Sequence, residues 1–242
     1  MHKLNCFITL TYDNEHLPAD YSVSKREWQL FMKRVRKSHG AGIRFYACGE
    51  YGDQHYRPHY HALLFGLDFA DKVLWKRIND ERLYVSNALS VLWPFGQASL
   101  GDVTFKSAGY CTRYIMKKMT GDKADEHYWR INPLTGELVR QATEFALQSR
   151  MPGLGDAWFQ KYKNDVFPSD HVIIDGQPKP VPTYYLRKLA EEEQERIKRS
   201  RKPQSAFIRK GDAYDNEKRR LVARRVIRDQ RIQQLKRSLK EH

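Results

Sequence analysis

Two histidines one residue apart, His59 and His61 in the stretch RPHYHALLFG, are the side chains whose types and spacing most suit chemistry. In a strand the side-chain period of two puts both rings on one face, near enough to share an ion. Two imidazoles hold a borderline divalent cation, and one carboxylate completes a site that keeps positions open for phosphate oxygens and water. Glu50, in CGEYG on the preceding stretch, is the natural supplier of that carboxylate. A cation held this way polarises a phosphate and stabilises the charge that develops on its oxygens. The competing assignment is a pair of half-buried strand histidines satisfied by the backbone, because His-x-His spacing is common. Weighing against it are Arg57-Pro58 just before, Glu50 on the adjoining stretch, and small or apolar residues after.

Tyr110 and Tyr114 are four residues apart. On a helix they share a face, one turn and roughly 6 Å apart along the axis. A phenol beside a phosphate held in such a site can attack it, conserving the energy of the broken diester as a phosphotyrosine bond that a 3′ hydroxyl later reverses. Two such tyrosines allow two successive transfers. Lys117 and Lys118 follow, placed to neutralise phosphate or to lower a neighbouring phenol pKa. Tyrosines at this spacing also form plain core or interface stripes, and the helix alone does not separate the two.

These residues need a sheet and a helix to hold them. Residues 5–12, NCFITLTY, alternate Ile8, Leu10 and Tyr12 with Thr9 and Thr11, which predicts a strand. Ser24 precedes KREWQLFMKRVRKS with Glu27 three residues on, as in a capping box, and Trp28, Phe31, Met32 and Val35 recur at helical spacing. Residues 43–51 and 58–66 read as strands joined into a hairpin by the polar GDQHYR. A helix is expected over about 70–92, with Val73, Leu74, Ile78, Leu83, Leu89 and Leu92 facing a core. A short strand near 101–105 follows, then a helix over 107–119 opening on Ser107 as N-cap. This order predicts an α+β fold, an antiparallel sheet of the ferredoxin-like or split-βαβ kind covered by helices. Residues 123–150 show no clear pattern. Trp28, Trp75 and Trp93 can stack bases, although core packing is the simpler role of each.

Together, NCFITLTYDNEHLP at 5–18, GEYGDQHYRPHYHALLFG at 49–66, AGYCTRYIMKK at 108–118 and the later SRMPGLGDAWFQKY and PTYYLRKL resemble the HUH endonuclease superfamily. The closer likeness is to the replication initiator proteins of small icosahedral single-stranded DNA phages, the microviruses of the gokushovirus kind, over most of residues 5–190. Tyr60 stands at the hydrophobic position between the two ligand histidines of that pattern. The resemblance implies an HUH-type sheet, a Mg²⁺ or Mn²⁺ site at His59, His61 and Glu50, nucleophiles at Tyr110 and Tyr114, and Lys117 and Lys118 as the basic residues that follow them.

It further implies a metal-dependent endonuclease for rolling-circle replication. Such an enzyme nicks viral DNA at the origin, leaves a 5′-phosphotyrosine link with a free 3′ hydroxyl, and later rejoins ends. Its partners would be single-stranded DNA and supercoiled duplex origin DNA, with a host helicase and DNA polymerase, in the cytoplasm of a bacterial host. His55, Arg57 and Arg113 are the DNA contacts expected near the site. Proteins of this kind usually carry a further N-terminal segment with several cysteines, whereas this sequence begins almost at the first strand. The competing functions are a relaxase or transposase of a mobile element, and a noncatalytic sheet-based nucleic-acid-binding module.

The 242 residues include 43 Lys+Arg and 29 Asp+Glu, a net charge of +14 with neutral histidines, which points to a polyanionic partner. A composition 40 % hydrophobic and 30 % charged is that of a folded rather than a disordered chain. Most of the basic excess is a tail, since residues 187–242 hold 19 Lys+Arg against 9 Asp+Glu. The tail is rich in helix formers with an imperfect apolar stripe. It is either a solvated helix or one that lies along DNA phosphates, through Arg219, Arg220, Arg224 and Arg225 among others. Between a domain over 1–150 and this tail, residues 151–186 carry Pro178, Pro180 and Pro182 and read as an extended connector. Cys6, Cys48 and Cys111 form no CxxC pair, so neither a disulfide framework nor a zinc ribbon is indicated, and a reducing cytosol is the natural setting. The sequence has neither an apolar run of about 18 residues nor a signal-peptide start, which excludes an integral membrane protein and a secreted knot.

Overall fold

The strand expected at 5–12 is β1 (Asn5–Thr11), and it runs through the middle of a seven-stranded antiparallel sheet. Its residues alternate in polarity, yet nearly all are buried, because helices cover both faces of the sheet. The computed structural model describes residues 1–242 except 53–54, 79–80, 114–122, 168, 212–217 and 235–242. These residues form two compact units, Met1–Leu154 and a second that begins at Gly155.

In the first unit, α1 (Lys25–His39) connects β1 to β2 (Arg44–Tyr51), and β3 (Pro58–Phe65) returns between them. This is the split βαβ arrangement, with β6 (Ala98–Gly101) on the other side of β1. Ser24 caps α1 by accepting from the Glu27 N–H, and the helix turns Trp28, Phe31, Met32 and Val35 inward, as their spacing predicts. They pack on Ile8, Leu10, Tyr60, Ala62 and Leu64, a core in which each large side chain contributes about 1.5–3 kcal/mol of burial free energy. The opposite face carries a smaller cluster of Phe7, Cys48, Leu63, Tyr110 and Cys111, closed by α3 (Phe105–Arg113).

The helix expected over 70–92 is instead β4 (Val73–Ile78), β5 (Glu81–Val85) and the short α2 (Asn87–Leu92), with β4 and β5 paired antiparallel at one edge of the sheet. Val73, Trp75 and Ile78, then Tyr84 and Val85, are β-branched or aromatic, and Ser86 restarts a helix by accepting from the Leu89 N–H. Trp28 and Trp93 are core residues, but Trp75 on this edge is exposed, with the Lys76 ammonium 4.0 Å from its ring centre. The strand expected at 101–105 lies earlier, at Ala98–Gly101, where it pairs with Phe7–Leu10. Ser107 is not the N-cap of the next helix. Thr104 is, because its hydroxyl accepts from the Ser107 N–H (3.1 Å) while Ser107 Oγ accepts from the Thr104 N–H (2.8 Å).

Residues 123–150, unassigned from pattern, form α4 (Lys123–Tyr128), a ribbon of β7 (Trp129–Ile131) with β8 (Leu138–Arg140), and β9 (Phe145–Gln148) on the far edge beside β2. Gly49 of β2 makes room for this, since a Cβ there would stand 2.6 Å from the Phe145 ring.

The stretch 151–186 is not an extended connector. In the second unit it holds α5 (Asp156–Val166), a hairpin of β10 (His171–Ile174) with β11 (Gln177–Pro180), and α6 (Thr183–Leu186). The prolines are accommodated where they do least harm, Pro178 and Pro180 in an exposed two-stranded ribbon and Pro182 just before α6. Phe159, Val166, Phe167, Val181, Leu186, Leu189 and Ile197 form its core. Ile197 comes from α7 (Glu191–Gly211), which a two-bond ion pair of Arg201 with Asp170 also ties down. The last described helix, α8 (Lys218–Gln234), leaves Leu221, Val222, Val226 and Ile227 exposed.

Candidate active site

Register places the candidate residues. Along β2 and β3 the pairs are Cys48 with His61 and Glu50 with His59, and along β1 they are Thr9 with His61 and Thr11 with His59. Directly opposed residues point to the same face. Glu50, His59 and His61 therefore share the face that α3 covers, close to the sheet's rim, where β1 ends at Thr11 and β2 at Tyr51.

Glu50 and His61 are both 4 % exposed, and His61 Nε2 lies 3.1 Å from Glu50 Oε1. A carboxylate withdrawn from water needs a proton donor or a cation beside it, and the imidazole supplies the first. The other nitrogen of His61, Nδ1, is 3.0 Å from Thr9 Oγ1, and Phe7 stacks on the ring at 5.9 Å between centroids. The ring is thereby fixed from three sides. His59 is half-buried, 6.2 Å from His61 between ring centroids, and its Nδ1 is 2.5 Å from the carbonyl oxygen of Arg57. Donation from Nδ1 to that carbonyl leaves the Nε2 lone pair for a ligand. Among the described residues no three acidic, histidine or cysteine side chains converge into a ready metal cage. What is present is a hydrogen-bonded Glu50–His61 pair with His59 beside it, and this donor set of one carboxylate and two imidazoles suits Mg²⁺ or Mn²⁺.

Tyr110 lies on α3 over this pair. Its ring meets that of His61 edge-on, with centroids 5.1 Å apart, and that of Phe7 at 6.0 Å. Next to it Cys111 is buried against Cys48, whose thiol is pushed well above its ordinary value by burial and by the neighbouring thiol. Both thiols stay protonated and act as packing between α3 and β2. Tyr114, Lys117 and Lys118 lie outside the described residues.

Of the basic and polar residues expected to touch DNA, Arg57 spends two N–H groups on the protein, one on the Tyr12 carbonyl (2.8 Å) and one on Asn14 Oδ1 (2.5 Å). His55 is exposed in the loop before β3, where its carbonyl accepts from the Tyr21 hydroxyl. Arg113 ends α3 half-buried. In the second unit Arg219, Arg220, Arg224 and Arg225 are all exposed on α8. Sequence reasoning passed over Thr9 and Phe7. Their signal was there, since they alternate with Cys6, Ile8 and Leu10 and so must point to the face that holds the histidines.

An antiparallel α+β sheet with His-x-His on a central strand and a tyrosine-bearing helix across it has the fold of the HUH type. A family model for replication-associated proteins of the ORF2 kind matches residues 5–119. The replication-associated protein VP4 of Bdellovibrio phage phiMH2K is 32 % identical over 193 residues, covering 75 % of this chain and 56 % of that protein. The replication-associated protein ORF2 of Spiroplasma virus 4 is 30 % identical over 245 residues (95 % and 68 %), and ORF4 of Chlamydia phage 1 is 29 % identical over 215 (80 % and 49 %). This chain belongs to that family of phage replication-associated proteins. It spans roughly half to two thirds of the length of these relatives. No solved structure matches it.

Proposed function

We propose that the protein is a replication initiator nickase that cuts single-stranded or supercoiled viral DNA at an origin through a tyrosine nucleophile and later rejoins the ends. The observation that carries this reading is the grouping on one sheet face of the Glu50–His61 pair, His59 and the Tyr110 ring. A binding module gains nothing from burying a carboxylate between imidazoles under a tyrosine, whereas phosphoryl transfer uses all three.

In this reading His59, His61 and Glu50 hold Mg²⁺ or Mn²⁺, which when bound polarises the scissile phosphate and offsets charge on its oxygens. Thr9 and the Arg57 carbonyl orient the two rings. The Tyr110 phenol oxygen bonds to phosphorus, the P–O3′ bond breaks, and the phenol proton is balanced by protonation of the released 3′ oxygen. The products are a 5′-phosphotyrosine and a 3′ hydroxyl for a host polymerase, with a host helicase opening the duplex ahead. Tyr114 makes the second transfer and Lys117 and Lys118 neutralise phosphate charge, roles carried by the family resemblance. The nicked strand must be unpaired, so it comes from supercoiled or hairpin DNA. Its setting is the cytoplasm of a bacterial host. No described helix is long and apolar enough to cross a membrane.

The test is formation of an SDS-resistant adduct between the full chain and single-stranded DNA in Mn²⁺. The expected adduct is lost with EDTA and in the Tyr110→Phe, Tyr114→Phe double variant. If no adduct forms with origin DNA or any of a wide set of other single strands, the nickase reading is wrong, and DNA binding unchanged by the double variant would favour the noncatalytic module.

A further inference from the structure

Beside the start of α1, on the sheet face opposite the histidines, lies a cavity of about 690 Å³ that the nicking reaction does not use. Its size is that of a site for a small organic ligand. The rings of Tyr12, Phe95 and Phe145 line it together with the carboxylates of Asp20 and Glu27 and the ammonium of Lys25. Gly96 holds Phe95 in place. With φ at +147° it lets the chain press against the end of β1, where the Asp13 N–H donates to the Phe95 carbonyl (2.9 Å), and a Cβ on Gly96 would stand 2.4 Å from Thr11 O.

Glu27 is the unusual member. The spacing Ser24-x-x-Glu27 predicts a reciprocal capping box, but only half of it forms. Ser24 Oγ accepts from the Glu27 N–H (3.2 Å), whereas the Ser24 N–H is taken by the Tyr60 hydroxyl (2.8 Å). The Glu27 carboxylate is thereby released from the helix it would cap, and among the described residues it accepts no hydrogen bond and makes no ion pair. The first turn of a helix favours its ionised form. An aromatic-walled cavity with carboxylate acceptors suits a planar heterocycle that carries N–H donors. It does not suit a phosphate, which two carboxylates repel.

The cavity and the nick site meet at one residue. Arg57 receives the hydrogen bond of His59 on its carbonyl and gives one to the carbonyl of Tyr12, whose ring lines the cavity. Thr11, the neighbour of Tyr12, pairs with His59 across the rim of the sheet. A strand whose phosphate sits at the histidines needs only to round that rim to bring a neighbouring base to the cavity.

We propose that this cavity receives one unpaired base flanking the nick, of the amino-bearing kind, cytosine or adenine, read by Glu27. The proposal rests on the nickase reading and deepens it. Carboxylates accept from the exocyclic amine of cytosine, and such a contact discriminates by about 1–3 kcal/mol, which is about 5- to 150-fold. The experiment is selection of a randomised single-stranded DNA pool by the full chain, with the bound fraction sequenced. The wild type should enrich cytosine or adenine at one position. Glu27→Ala should lose enrichment at that position alone, and Glu27→Lys, which replaces an acceptor by a donor, should shift it towards guanine or thymine. A reversal of preference cannot arise from unfolding. Unchanged enrichment in both variants, or no base preference at any position in the wild type, overturns the proposal. Adduct formation with the same pool in Mn²⁺ separates the two ideas, because an adduct without a Glu27-dependent preference removes only the base site, and neither adduct nor binding removes the nickase reading as well.

Discussion

The two faces of β1, β2 and β3 are built from alternate residues of the same strands, and they differ in kind. One presents Ile8, Leu10, Ala47, Tyr60, Ala62 and Leu64 to α1 and α2. The other presents Thr9, Cys48, Glu50, His59 and His61, with Phe7 and Leu63, to α3. The first face supplies stability and the second supplies chemistry, and the thickness of a sheet is all that parts them. A register slip of one residue would exchange them, so the apolar face also fixes where the histidines point. Tyr60, between His59 and His61, makes this link directly. Its ring is fully buried among Trp28 and Trp93, and its hydroxyl is 3.0 Å from that of Tyr12 and 2.8 Å from the Ser24 nitrogen.

If the faces are separable in function, substitutions should sort by face. The largest effect is expected from Tyr110→Phe combined with Tyr114→Phe. Covalent DNA capture should fall at least about a thousandfold, as when a nucleophile is deleted from an acyl-transfer enzyme. Removing two hydroxyls should change unfolding free energy by no more than about 1–3 kcal/mol, measured by urea titration. On the other face Leu10→Ala should cost about 2–5 kcal/mol of stability through the cavity it leaves. Below its melting transition that variant should still form adduct at a rate near the wild type's. Loss of the adduct while circular dichroism reports a folded chain would break the separation.

The parts legible in the sequence follow from the same alternation. β1, β2 and β3, with α1, could be read because period-two and period-3.6 patterns there are unbroken, and the three metal-ligand candidates followed from strand pairing alone. The region 73–92 misled because Val73, Leu74, Ile78, Leu83, Leu89 and Leu92 satisfy helical spacing approximately while belonging to three different elements. There the β-branched and aromatic residue types were the better guide. In 151–186 the prolines suggested an open connector, but Phe159, Val166 and Val181 join a core whose other members, Leu189 and Ile197, lie beyond it in sequence. Long-range partnership of that kind leaves no local pattern. The same holds for Thr9, whose role appears only when His61 is placed across from it.

Thr9→Val sharpens the comparison from within the chemical face. Valine suits a strand and fills the same space, but it leaves His61 Nδ1 without its partner. Outer-shell changes of this sort typically weaken metal binding about 10- to 100-fold. Titration of Mn²⁺ by electron paramagnetic resonance should show a drop in that range with the melting cooperative as before. Equal Mn²⁺ affinity would mean that the sheet alone orients the imidazole.

The smallest effect at physiological salt concerns charge, which is distributed as unevenly as polarity. Residues 1–186 hold 24 Lys+Arg against 20 Asp+Glu, so the sheet with the candidate site is close to neutral and the strongly basic segment lies beyond it. Deleting residues 187–242 would be a poor test of that segment, because it removes Leu189 and Ile197 from the core of the second unit. Replacing Arg219, Arg220, Arg224 and Arg225 by glutamine is cleaner, since all four are exposed on α8. If the helix lies along DNA, each arginine–phosphate pairing removed should lower the slope of log affinity against log salt by about 0.7 on a single strand. The slope should then flatten by up to about 3 across the four, with adduct formation at saturating protein unchanged. An unchanged slope would make α8 a solvated helix and would leave DNA affinity to the neutral sheet, its cation and the few side chains at its rim.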